Sequence, residues 1–102
     1  GMHYPPFYAL INIIVRGRTL SGAFETAKTV AQKLSLISTD EKFSVLGPAP
    51  APIVRLRGEH RVQLFLKGTH RTLMRKALES VLAEMPKVRK RITVDVDPVS
   101  VL

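Results

Sequence analysis

Two stretches of this sequence repeat apolar residues at steps of three and four, and each is framed by stretches that alternate; this constrains the fold more than any other feature. In the first, Leu20, Ala23, Phe24, Ala27, Val30, Ala31, Leu34 and Ile37 make one stripe along a helix. In the second, Leu73, Met74, Ala77, Leu78, Val81, Leu82 and Met85 do the same. Gly17 and the polar starters Thr19 and Ser21 precede the first helix, and Ser38-Thr39-Asp40 breaks its pattern. Glu25 near its start and Lys33 near its end suit the helix dipole. Gly68-Thr69 opens the second helix, and Pro86 lies at its end.

The framing segments read as strands. Tyr8–Arg16 is rich in β-branched residues, as a buried strand is. Phe43–Leu46 is a short candidate ended by Gly47. Val62, Leu64 and Leu66 alternate with Gln63, Phe65 and Lys67. Ile92, Val94 and Val96 alternate with Thr93, Asp95 and Asp97 until Pro98 stops the strand. The run Gly47-Pro48-Ala49-Pro50-Ala51-Pro52 cannot be a central strand or a helix, because its prolines remove amide donors and fix φ. It is expected as a stiff, extended connection. The order β-α-β-β-α-β therefore predicts an α+β ferredoxin-like sandwich, with two helices on one face of a four-stranded antiparallel sheet.

A chain of 102 residues has room for one core. Residues 4–98 are expected to form that single domain, and 99–102 a short tail. Residues 1–3, Gly-Met-His, read as a tag-cleavage remnant or linker; they lack the apolar stretch of a signal peptide. The longest apolar run, Ala9–Val15, is broken by Asn12 and falls well short of the ~18 residues a membrane span needs. The chain has no cysteine, so disulfides, thiol chemistry and cysteine-bound zinc are excluded. A cytoplasmic location without membrane attachment is the expectation.

The distribution of charge says more than its total. Residues 55–91 hold eleven of the 16 Lys and Arg but three of the eight acids, so the whole net charge of +8 falls within that window. Segregated positive charge attracts polyanions or acidic peptides. It comes in three patches. Arg55, Arg57, His60 and Arg61 surround Gly58 in a hairpin-like loop that can follow a phosphate backbone. His70, Arg71, Arg75 and Lys76 crowd the start of the second helix. Cations there sit at the wrong end of the dipole, and Arg71 with Arg75 is a like-charge i, i+4 pair, although Glu79 lies one turn beyond Arg75. Lys87, Arg89, Lys90 and Arg91 lead into the last strand. A helix with arginines but no Asn or Gln near its start suits backbone or shape recognition rather than base reading. Tyr4, Phe7, Tyr8 and Phe65 are the free aromatic candidates, so stacking is a minor theme.

Enzymatic chemistry finds little support. No phosphate-cradling glycine motif occurs. Ser21 and Ser44 have no histidine close in sequence, and His3, His60 and His70 share no metal-ligand spacing. Asp95 and Asp97 would point the same way from a strand, but no third ligand, base or nucleophile accompanies them. They read as acids on the outer sheet surface.

Four blocks carry a resemblance: Tyr4-Pro5-Pro6-Phe7, then Gly47 to Ile53, then Arg55-Leu56-Arg57-Gly58 with Arg61-Val62-Gln63-Leu64, and Val94-Asp95-Val96-Asp97-Pro98. In that order, and over nearly the whole chain, they resemble the C-terminal end of the primosomal protein N′ family of replication-restart helicases, PriA. The resemblance implies a domain of an ATP-driven 3′-to-5′ DNA helicase that reloads the replicative helicase at stalled forks. The parent's ATP, magnesium and zinc would be bound elsewhere; no cofactor and no catalysis are expected in this segment. The partners it implies are branched DNA, the acidic C-terminal tail of the single-stranded-DNA-binding protein (SSB), and the parent's own helicase lobes. Arg55, Arg57, His60, Arg61, Lys87, Arg89, Lys90 and Arg91 are the expected DNA contacts. Arg71 and Arg75 match the tail site, where the family shows a basic residue followed by a polar one, a pattern from which Arg75 departs. The alternatives are a purely structural module that docks the motor lobes and a ferredoxin-like RNA-binding domain.

Overall fold

The structure, a computed structural model, describes residues 8–38 and 43–100, with side chains through Val96. Its elements are β1 (Tyr8–Gly17), α1 (Leu20–Ile37), β2 (Phe43–Leu56), β3 (Glu59–Gly68), α2 (Arg71–Ala83), α3 (Pro86–Arg89) and β4 (Ile92–Ser100). The strands form one antiparallel sheet in the order β2-β3-β1-β4. This is the expected ferredoxin-like arrangement, with a short α3 added.

Register explains which face is buried. β1 pairs Ile11 with Leu66, Ile13 with Leu64 and Val15 with Val62, and on its other side the same three residues meet Val96, Val94 and Ile92. Cross-strand partners share a face, so these residues make an apolar floor. Ala23, Ala27, Val30 and Leu34 of α1, and Met74, Ala77, Leu78 and Val81 of α2, close over it. Among the described residues no polar or charged one is buried. Leu20, Ile37 and Leu73 lie on the margins of their stripes and stay partly exposed. The opposite face carries Tyr8, Leu10, Asn12, Ile14 and Arg16 from β1 and Arg61, Gln63, Phe65 and Lys67 from β3, and neither long helix covers it.

Several expectations change. The proline run is not a connection: β2 continues through it to Leu56. It can do so because β2 is an edge strand, where missing amide donors are tolerated. The ladder shows the effect as register irregularities between Leu46 and Ala49 and between Pro50 and Arg55. Pro86, just past the end of the second helix, does more than follow it. It opens α3, where its missing N–H is harmless. Pro98 does not stop the last strand, since β4, the other edge, runs to Ser100. Glu25 lies outside the first turn of α1 and Lys33 outside its last turn, so neither serves the dipole; Lys33 Nζ instead reaches Glu84 Oε2 at 3.5 Å. The Tyr4–Phe7 segment lies outside the described residues.

Candidate nucleic-acid interface

The first patch is built on a two-residue hairpin. Leu56 pairs with Glu59, leaving Arg57 and Gly58 as the tip, both with positive φ (52° and 80°). That is the signature of a type I′ turn, whose twist matches its strands. Arg55 pairs with His60, and both flank the tip from within strands. Arg61 Nη1 donates to the Ile53 carbonyl at 3.4 Å, across the β2 irregularity.

Arg61 also pairs with Arg16 of β1. Arg16 is the residue that joins the patches, and it was not among the residues expected from the sequence. Its backbone N–H donates to the Arg91 carbonyl and its Nη2 to the Lys90 carbonyl, each at 2.9 Å. Arg16, Arg57 and Arg61 line one pocket of about 220 Å³, together with Leu56, Glu59 and Thr93. Arg16 also lines a second pocket of about 290 Å³ with Arg18, Lys87 and Arg91, beside the first turn of α1. That turn holds no acid and is capped by Thr19, whose Oγ1 accepts from the Gly22 N–H at 3.0 Å. Arg57 and Arg61 of the first patch and Lys87 and Arg91 of the third therefore each share a pocket with Arg16 at one end of the sheet.

α3 divides its cations. Lys87 and Arg91, the latter just past its end, face the α1 pocket. Arg89 faces a groove of about 350 Å³ between α2 and β4, where it joins Arg75 and Glu79 over Leu78, Leu82, Ile92, Val94 and Val96. Arg75 thus shares this groove with Arg89; Arg71 is not among its lining residues. Arg71 is half-buried, and its Nε is buried without a hydrogen-bond partner. Glu79 does not form an ion pair with Arg75; among the described residues the one ion pair is Lys33–Glu84. His70 is the α2 N-cap and makes no side-chain cap bond. Lys90 is exposed and Arg55 is exposed, and neither lines these three sites.

Asp95 is exposed on the open sheet face, paired across the ladder with Asn12. Among the described residues no three His, Cys, Asp or Glu side chains gather as a metal site would need. No described helix is long and apolar enough to cross a membrane.

Fold and charge together define a small ferredoxin-like α+β domain with a band of arginines and lysines gathered at one end of its sheet. Residues 1–99 match the family described as the primosomal protein N C-terminal domain, and the chain belongs to that family. It is 31% identical over 100 residues to the replication restart protein PriA of Bacillus subtilis (strain 168), covering 93% of this chain and 12% of that protein. The PriA of Treponema pallidum (strain Nichols) is 30% identical over 100 residues, covering 97% of this chain and 15% of that protein. The chain thus spans less than a sixth of these relatives. Among solved structures, the de novo designed protein Foldit4 matches with a TM-score of 0.63 at 17% identity, over 88% of this chain and 93% of that one. A de novo designed protein with a ferredoxin fold, LFR1 1, matches at 0.52 with 12% identity, over 96% and 88%. These two likenesses concern the fold alone.

Proposed function

We propose that this chain is the DNA- and partner-binding module of a replication-restart DNA helicase, with no catalysis of its own. The observation that carries this is Arg16, which shares one pocket with Arg57 and Arg61 of the hairpin and another with Lys87 and Arg91. A row of cations that runs from Arg57 through Arg61 and Arg16 to Arg91 suits the phosphate backbone of branched DNA, which such groups bind by releasing counterions. The test is forked DNA titrated by fluorescence anisotropy over a range of salt. Replacing Arg55, Arg57 and Arg91 by Gln, all of them exposed, lowers the log–log slope by about 0.9 for each phosphate that is no longer neutralised. A slope equal to wild type rejects the reading.

The same module is proposed to dock the acidic SSB tail through α2. Arg71 and Arg75 supply guanidiniums one turn apart, and the groove beside Arg75 adds an apolar floor with Arg89 at its rim. A second reading, docking onto the parent's motor lobes, is favoured by a specific feature. Ile53, Val54 and Leu56 on the outer end of β2 are 54%, 37% and 45% exposed, an apolar surface of the kind that marks a protein contact.

A further inference from the structure

Alternation along β3 puts Arg61, Gln63, Phe65 and Lys67 on the sheet face that α1 and α2 leave open, with successive members about 7 Å apart. β1 sets a partner beside each: Arg16 by Arg61, Ile14 by Gln63, Asn12 by Phe65 and Leu10 by Lys67. Leu46 of β2, 46% exposed, flanks Phe65 on the other side. The face therefore reads, end to end, as a guanidinium pair, an amide, an aromatic ring beside a second amide, and an ammonium. Lys67 is held at its end by the Tyr8 ring, 5.0 Å from Nζ to the ring centroid. Asn12 Oδ1 is buried and lacks a hydrogen-bond partner. Two acids stand among the described side chains of this region, Asp95 beside Asn12 and Glu59 next to Arg16 and Arg61.

Single-stranded nucleic acid offers what this face can take. An unpaired base presents a ring to Phe65 and hydrogen-bonding edges to Asn12 and Gln63, while its phosphates suit the flanking cations. A duplex cannot use the same surface, because its bases are stacked and paired with one another. We infer that the open sheet face binds a short segment of single-stranded DNA, its bases over Phe65 and its backbone held by Arg61 and Arg16 at one end and Lys67 at the other. This rests on the DNA-binding reading above, with which it shares Arg16 and Arg61, and adds the kind of strand that is bound.

The test compares a labelled oligothymidine with a duplex of equal length, both titrated with the 102-residue chain at one salt concentration. Phe65→Leu keeps an apolar side chain in place, and circular dichroism checks its fold. It weakens oligothymidine binding about tenfold and leaves the duplex unchanged. Because the chain contains no tryptophan, Phe65→Trp provides a clean reporter, quenched by oligothymidine and not by duplex. Equal oligothymidine affinity for wild type and Phe65→Leu, or an unquenched Phe65→Trp at saturation, overturns the inference. If forked DNA then still shows its salt slope, the broader DNA-binding reading survives; if wild type binds neither DNA, both fail. Tighter binding of oligouridine than of oligothymidine moves the site to RNA and also overturns it.

Discussion

Arg57 and Gly58 both sit in the left-handed region, but they bear that conformation at different cost. A Cβ on Gly58 would meet nothing within 4 Å, so the penalty for Gly58→Ala is one of backbone alone, about 1–2 kcal/mol. Urea unfolding should show that loss of stability, and a loss near zero would mean the turn is not of this type. Arg57 already carries a Cβ at φ 52°, so Arg57→Asn should be neutral or stabilising by a few tenths of a kcal/mol while removing one cation. Stability and DNA affinity thus move in opposite directions at that position, which is how a residue kept for its charge behaves. These two residues are legible in the sequence because Gly58 lies among arginines. Arg16 is not, because it stands alone at the end of an apolar strand. Its meaning depends on pairing with Arg61 across 45 residues of chain, and no turn joins β1 to β3 to announce that register locally.

The two long helices begin differently. Thr19 caps α1 with a bond to the Gly22 amide, and Thr19→Ala should cost about 1 kcal/mol in thermal or urea unfolding. α2 has no such device: His70 makes no cap bond, the first turn holds no acid, and Arg71 opposes the dipole. His70→Asp should therefore stabilise the fold by about 1 kcal/mol and weaken binding of an acidic tail peptide, read by calorimetry on the same sample. If the peptide binds His70→Asp as well as wild type, the start of α2 is not where its charge lands. Both helices were legible because periods of three and four survive any tertiary context that buries one stripe. β3 and the apolar side of β4 were legible through alternation, and β1 through its β-branched residues. β2 was legible only over Phe43–Leu46, because Pro48, Pro50 and Pro52 are a loop signal unless the strand is known to lie at an edge. α3 was hidden for a similar reason: Pro86 closes one helix and opens another equally well, and four residues carry no period.

At the scale of the molecule, the cationic sites form a linked series. Arg16 belongs to the hairpin pocket and the α1 pocket, while α3 gives Lys87 to the α1 pocket and Arg89 to the α2–β4 groove. DNA on the first two and an acidic tail in the third would bind different side chains yet feel one another's charge. Two unit charges about 10 Å apart interact by roughly 0.4 kcal/mol in water, about twofold in affinity. Several such pairs add up at low salt, where the Debye length is about 30 Å at 0.01 M, and largely disappear at 0.15 M, where it is about 8 Å. Saturating acidic peptide should therefore weaken forked-DNA binding several-fold at low salt and less than about twofold at physiological salt. Linkage requires forked DNA to weaken the peptide by the same factor. The shape of the effect decides the geometry: a shift that levels off as peptide is added means neighbouring sites, and one that grows without limit means shared arginines. Arg89→Gln should change the plateau more than Lys76→Gln, since Arg89 lines the groove on the same short helix that gives Lys87 to the α1 pocket, whereas Lys76 lies on the exposed side of α2 and lines none of these sites. Equal effects of the two substitutions would show that net charge alone, rather than the position of α3, sets the coupling.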